Sequence, residues 1–186
     1  LSIAPAVTEI FGGSPRFPSG YRIKMKTNDF VWVTYEPQYT QQSVLVFKYP
    51  VVEGEEMLSR ESLVADINKM LEKNVPGMFE NTYMTIASVV APSVKYLRYK
   101  GHEFAELRGL WDVHNDFMGG PFVAQAFYSQ DGKDMIVMEG FVYAPKYDKR
   151  QYLRQVESVL RVLEFEFDDP AGFYAVLDKV GTMPLP

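Results

Sequence analysis

Alternating hydrophobic and polar residues mark the strands in the first third of this chain. Apolar and basic residues alternate from Tyr21 to Lys26, and a Thr-Asn-Asp turn separates them from a β-rich run at Phe30–Tyr35. Two such runs around a short polar turn are typical of a β-hairpin. The run Ser43–Tyr49 predicts a third strand.

A helical period replaces this alternation in two places. The first helix is predicted near residues 60–73, where Ser59 is a good N-cap and a Val-Pro-Gly sequence gives the stop. The second is predicted near residues 149–164, with Asp148 as its cap. Their apolar faces consist of Leu63, Ile67, Met70 and Leu71 in the first helix and Leu153, Val156, Val159, Leu160 and Leu163 in the second.

Five more strands are predicted between these helices, at about 82–90, 94–100, 102–111, 121–129 and 134–143. No helix separates the late strands, so the pattern favours an α+β fold with an antiparallel sheet and both helices packed on it. The order of elements is similar to that of PsbP and Mog-type sandwiches, an analogy of topology only.

The pair Asp131-Gly132 predicts the register of the last hairpin. Asp-Gly between two alternating runs is a strong hairpin indicator. Counting outward from it pairs Gln130 with Lys133 and sets Glu139 opposite Ala124.

Proline and glycine spacing suggests the domain limits. Residues 1–20 are rich in both and predict an irregular N-terminal arm. Residues 21–165 are expected to form one α+β domain, and residues 166–186 a C-terminal tail that includes a short helix at 173–180. The chain begins with leucine rather than methionine, so we expect a mature or truncated piece of a longer protein.

Composition excludes several classes of function. The chain is 47% hydrophobic and 23% charged, typical of a globular protein, and no apolar run is long enough to span a bilayer. A net charge of −5 argues against nucleic acid as a partner. The absence of cysteine excludes thiolate catalysis and thiolate metal sites, and we expect no cofactor.

The stretch RGLWDVHNDFMGGPFV, at residues 108–123, concentrates the candidate binding residues: Arg108, Trp111, Asp112, His114, Asn115 and Asp116. Carboxylates and imidazole suit Zn, Mn or Fe if the segment after the tryptophan stays extended. The chain has only one other histidine, so we expect a hydrogen-bonded loop and no metal. The Gly-Gly-Pro sequence predicts a tight corner rather than a phosphate-binding loop.

Glu139 is the seventh candidate, because the predicted register places its carboxylate in an apolar strip of the sheet. A buried carboxylate is costly unless it is paired, and Arg108 on a neighbouring strand is the predicted partner. We favour a structural ion pair of Arg108, with Glu139 or Glu106, over a ligand-binding arginine.

A second charged group surrounds the start of the last helix, where positive charge opposes the helix dipole. It is more typical of a solvated face than of a site for a lipid head group or an acidic glycan. Its members are Lys146, Lys149, Arg150 and Arg154.

Four strings give the chain a resemblance to a known family between Gly12 and Phe165. They are FPSGYRI with NDFVWVTY, NVPGMFENTYMT, RGLWDVHNDFMGGPFV and EGFVYAPKYDKRQYLRQVES. In their order and spacing the chain resembles the C-terminal half of a family of Bacteroidetes envelope lipoproteins, domain of unknown function 4837 (DUF4837). The resemblance implies export, a lipid anchor outside this chain and an absent N-terminal half. It brings no activity and no catalytic residues.

The resulting expectation is a non-enzymatic binding or assembly domain in the cell envelope, either periplasmic or at the outer membrane. Its partner is expected to be another protein or the absent half of the same polypeptide. The alternative is an enzyme, or a protein that binds a small ligand, carbohydrate or metal, centred on residues 108–123. A deep pocket lined by these residues would favour this alternative.

Overall fold

The structure is a computed structural model that describes residues 3–15, 17, 19–36, 41–99 and 102–143. It contains two helices and eight strands in these ranges. The helices are α1 (Ile3–Phe11) and α2 (Arg60–Asn74), and the strands are β1 (Arg22–Lys26), β2 (Phe30–Tyr35), β3 (Gln41–Pro50), β4 (Tyr83–Ile86), β5 (Ser93–Tyr99), β6 (His102–His114), β7 (Asp116–Tyr128) and β8 (Asp134–Tyr143).

All eight strands belong to one antiparallel sheet, which confirms the predicted α+β class. The strand order is β1-β2-β3-β8-β7-β6-β4, and β5 pairs with β6 beyond the stretch that β4 occupies. The predicted first hairpin is confirmed as β1–β2. Because β8 lies between β3 and β7, it joins an N-terminal half of the sheet, β1–β3, to a second half formed by β4–β7.

The hairpin β7–β8 has the predicted register, with Glu139 opposite Ala124. Its loop is longer than the Asp-Gly pair indicates. Regular pairing ends at Tyr128, and the Gly132 N–H donates to the carbonyl of Ser129 at 2.9 Å. The predicted pairing of Gln130 with Lys133 is therefore wrong: both lie in a four-residue loop, 130–133, whose third residue is Gly132 at φ 72°.

The sheet is covered by a helix on each face. Leu63, Ile67 and Leu71 of α2 pack with the face that carries Leu45 and Leu107. This helix is capped as predicted, because the Ser59 side chain accepts a hydrogen bond from the Ser62 N–H at 3.1 Å. On the opposite face, α1 packs against side chains of β2, β3 and β8.

The helix α1 corrects the prediction of an irregular arm at residues 1–20. Pro5 lies in its first turn, where the missing N–H has no helical partner to lose. Gly12 follows its last residue at φ 79°, a conformation that suits a helix end. Val7 and Phe11, one turn apart, are buried on the sheet. The proline and glycine that suggested an irregular arm thus begin and end a short helix.

The predicted helix at 149–164, its basic cluster and the C-terminal tail lie outside the described residues. The domain limits at 20 and 165 stay predictions. Neither helix in the described ranges is long and apolar enough to cross a membrane.

Candidate functional site

The stretch predicted as a functional loop, residues 108–123, is mostly a β-hairpin. It forms the end of β6, a turn at Asn115, and the start of β7. Asn115 has φ 62°, a left-handed conformation that asparagine adopts more readily than most residues. The pairing of Val113 with Asp116 and of Asp112 with Gly119 leaves two extra residues, Phe117 and Met118, as a bulge on β7.

The turn separates the residues of the possible metal group. Asp112 and His114 alternate along β6 and share a face, whereas Asp116 follows the turn and pairs with Val113, on the opposite face. The three side chains were expected to lie together only if the segment after Trp111 stayed extended, and the turn at Asn115 breaks that segment. The His114 ring stacks on Tyr83 at 4.7 Å, and an Asp116 carboxylate oxygen accepts the N–H of Phe117 at 2.7 Å. In the described ranges, no three histidine or carboxylate side chains are grouped as metal ligands.

Trp111 is a core residue rather than a surface residue. It is buried against Phe141, and its indole N–H donates to the carbonyl of Val142 at 3.3 Å. The Gly-Gly-Pro sequence lies within β7, so the prediction of a tight corner is wrong. Glycine is needed there for space: a Cβ on Gly120 would lie 2.3 Å from the Val142 carbonyl oxygen and 3.0 Å from the indole nitrogen.

Arg108 forms the expected structural ion pair, with Glu106 rather than with Glu139. Its Nε lies 2.6 Å from a carboxylate oxygen of Glu106, two residues away on β6, and that glutamate is buried. Arg108 is paired with Val123, on the face that α1 covers. The predicted contact with Glu139 is wrong because Glu139, opposite Ala124, points to the other face.

Glu139 is buried in the middle of the sheet between Leu45 and Ala124. Neither of its carboxylate oxygens has a hydrogen-bond partner in the described part of the chain. Burial raises the pKa of this carboxyl from 4.5 to about 8. Near neutral pH the group is held mainly as a neutral carboxylic acid, which explains how an apolar strip accommodates it.

The surface that the sequence did not indicate lies at the end of this hairpin. Phe117 is fully exposed (106%), and Met78 and Phe79, in the turn that precedes β4, are 78% and 65% exposed. We call residues 77–82 and 115–117 the paired turns. They lie side by side, since the Asn115 side-chain amide donates to the Asn81 carbonyl at 3.4 Å.

The paired turns have a defined shape. The Gly77 N–H donates to the Thr82 carbonyl at 2.9 Å, and the Thr82 hydroxyl bonds both the N–H and the carbonyl of Phe79. A Cβ on Gly77 would lie 2.2 Å from that hydroxyl oxygen. The turn before β4 is therefore closed by its own hydrogen bonds while its two apolar side chains point to solvent. Sequence periodicity could not find this, because apolar residues in a turn follow no period.

The chain matches a family model described as "Domain of unknown function (DUF4837)" over residues 1–162. No curated protein matches it. Among solved structures, it is similar to LpqN, which is involved in cell envelope biogenesis of Mycobacterium tuberculosis. The two are 11% identical, with 78% of this chain and 77% of that chain covered and a TM-score of 0.42. A likeness of this size carries no functional inference.

Proposed function

The chain belongs to the DUF4837 family, and we propose that it is a non-enzymatic binding or assembly domain that contacts a protein partner through the paired turns. We also propose that it works in the bacterial cell envelope as part of a lipid-anchored protein. The support for this location is the resemblance of the four strings to a family of envelope lipoproteins, with which the match to DUF4837 is consistent. The analogy with PsbP and Mog-type sandwiches stays a proposal, supported by a helix on each face of the sheet.

The observation that carries the binding role is the exposure of Phe117, Met78 and Phe79 on ordered turns. Grouped apolar side chains in water mark interaction surfaces, and aromatic residues and methionine are enriched at interface cores. Because hydrogen bonds already fix the turn before β4, a partner would order little backbone on binding. Preorganisation of this kind favours affinity.

The enzymatic alternative lacks a comparable observation. Its residues are distributed along β6 and its turn, and Arg108 and His114 are six residues apart on one strand, about 20 Å. Arg108 already has a carboxylate partner in Glu106. We therefore propose no reaction.

In-cell crosslinking tests the proposal. A photoreactive phenylalanine analogue replaces Phe117 in the full-length protein in its native envelope, and the same analogue replaces Tyr128, an exposed residue at the other end of β7, as a matched control. We expect a discrete protein adduct from position 117 and none from position 128. A Phe79→Ser substitution in the same chain should abolish the adduct. Equal adducts at both positions, or none at 117, would refute the proposal.

A further inference from the structure

We infer that the partner presents an apolar pocket rimmed by lysine and arginine side chains, and that it covers the loop at residues 87–92 as well as the paired turns. The inference rests on the proposed function and names the chemistry of the partner. It comes from two features of the sheet around β4: the positions of the exposed apolar residues and the sign of the charges near them.

The exposed apolar residues are concentrated in two neighbouring segments. Among the described residues, six of the seven exposed large hydrophobics other than tyrosine lie within 78–90 and 110–117, and the seventh is Val52. The six are Met78, Phe79, Val89, Val90, Leu110 and Phe117. Such a distribution differs from the single scattered residues that ordinary surfaces carry.

Strand pairing brings these segments together. The four residues of β4 pair with the end of β6, and the Ala87 N–H donates to the Leu110 carbonyl at 2.8 Å. The paired turns lie at one end of β4 and the 87–92 loop at the other, so about 13 Å of strand separates them. One side of a standard protein interface, about 800 Å² or roughly 30 Å across, is large enough to include both.

The charges of the two segments have one sign. Residues 77–92 and 109–121 contain no lysine and no arginine, and their charged residues are Glu80, Asp112 and Asp116. Glu80 is exposed, and both aspartates are partly exposed. Within these two segments the exposed apolar side chains are therefore accompanied by carboxylates and by no lysine or arginine, and a surface complementary to them needs cationic groups around its apolar part.

The same charges disfavour two other occupants. A second copy of this chain would bring identical carboxylates together in a symmetric contact, and like charges across an interface are costly. A membrane rich in anionic lipid would repel them, since binding to such surfaces depends on lysine and arginine. A protein with a basic rim is the occupant that both features favour.

Peptide display on the immobilised chain tests this chemistry. A random peptide library is selected on the wild-type chain, with the Phe79→Ser, Phe117→Ser double variant as counter-selection. Val52→Ser is the matched control, because Val52 is exposed but lies outside both segments, in the loop after β3. We expect enriched peptides that combine aromatic or aliphatic residues with lysine and arginine, and that bind the Val52→Ser chain as well as wild type.

The carboxylates are tested with one synthetic peptide from that selection. Glu80→Gln and Asp116→Asn should each weaken its binding about two- to fivefold, and raising the salt concentration should reduce the difference. The asparagine can still accept the Phe117 N–H, so the turn keeps its hydrogen bond. Thermal melts of all variants should coincide with wild type because the changed side chains are exposed or partly exposed.

The outcomes separate this inference from the proposed function. Peptides that require Phe117 but show no excess of basic residues would overturn the inference and leave the binding surface standing. A selection with no dependence on Phe79 and Phe117 would overturn both. Binding to phosphatidylglycerol vesicles through Phe117, or a dimer in sedimentation that Phe117→Ser dissociates, would replace the protein partner with a membrane or a second copy.

Discussion

The two ends of the sheet expose different kinds of side chain to solvent. At the β1 end, Arg22, Lys24 and Lys26 alternate along the edge strand, and each has a local partner: Glu36 at 3.0 Å, the Trp32 ring at 4.3 Å and Glu9 at 3.8 Å, respectively. At the β4 and β6–β7 end, the segments 77–92 and 109–121 have no basic residue and leave six large apolar side chains in water.

This difference indicates which end is available for binding. Lysine on an edge strand discourages pairing with other chains, and natural sheets use it for that purpose. An exposed apolar group has no such protection and is unfavourable unless something covers it. One end of the molecule is thus protected against association, and the other is equipped for it.

The largest expected effect tests whether the two ends form one cooperative unit. Glu139 lies in β8, the strand that joins them, and its pKa is raised to about 8. Between pH 4.5 and 8 the unfolded chain loses this proton while the folded chain keeps it. Stability should therefore fall with rising pH across that window, by about 4 to 5 kcal/mol in total, and level off above it.

The two tryptophans allow each half to be measured. Trp32 lies in β2 and Trp111 in β6, so Trp32→Phe and Trp111→Phe leave one reporter in each half. Urea melts by fluorescence should give the same fall with pH from both reporters, and Glu139→Gln should remove most of it. Different pH dependence at the two tryptophans would show that the halves unfold separately.

The next effect compares an ion pair at each end. Arg108→Ala leaves the buried Glu106 carboxylate without this partner and should cost about 3 kcal/mol. Arg22→Ala breaks a pair whose arginine side chain is 67% exposed, against 21% for Arg108, and should cost less than about 1 kcal/mol.

Thermal or urea melts measure both ion-pair changes. Adding Glu106→Gln should recover stability in the Arg108→Ala chain. Adding Glu139→Gln should change the stability of the Arg108→Ala chain no more than it changes that of the wild-type chain, because Glu139 lies on the other face. Equal losses of stability in the Arg22→Ala and Arg108→Ala chains would show that the ion pairs at the two ends do not differ in strength.

A third substitution tests the packing that holds the β6–β7 hairpin. Gly120→Ala places a methyl group 2.3 Å from the Val142 carbonyl oxygen, where backbone must move, and should cost about 2 kcal/mol. Gly109→Ala on β6 is the control, since its methyl group would meet the Phe122 and Pro92 side chains at 3.0 and 3.1 Å and should cost about half as much. Chemical denaturation measures both, and a reversed order would contradict the close packing of Trp111 over Gly120.

Local patterns predicted most of the sheet and little of the site. Ser59 as a cap, the β1–β2 hairpin and the opposition of Glu139 and Ala124 each depend on residues close in sequence, where a period or turn fixes the geometry. Which face of the sheet Arg108 has relative to Glu139 could not be counted in this way. It depends on the β6–β7 pairing, and the bulged residues Phe117 and Met118 interrupt the count from the turn at Asn115.

The helix α1 and the paired turns were missed for a different reason. Proline and glycine at residues 5 and 12 act as helix start and stop only because the sheet offers a surface for Val7 and Phe11. Likewise, no local pattern marks Phe117 as exposed, and its exposure arises from the bulge that carries it. Both features depend on tertiary packing rather than on local propensity.

The smallest change in stability should come from substitutions on the edge strand β1. Their main effect should be on association between chains. The double substitution Lys24→Thr, Lys26→Thr keeps residues that favour strands but removes two charges from the edge. The folded chain should lose no more than about 1 kcal/mol, because both lysines are exposed and their partners are weak.

Edge protection predicts that this variant associates through β1 at concentrations where the wild-type chain does not. Lys73→Thr, Lys133→Thr is the control: it has the same net charge, but its changes lie on α2 and in the β7–β8 loop. Sedimentation and light scattering should show association of the first variant only. If both variants associate equally, net charge rather than edge position protects the chain, and the β1 end differs from the other end only in its lack of exposed apolar residues.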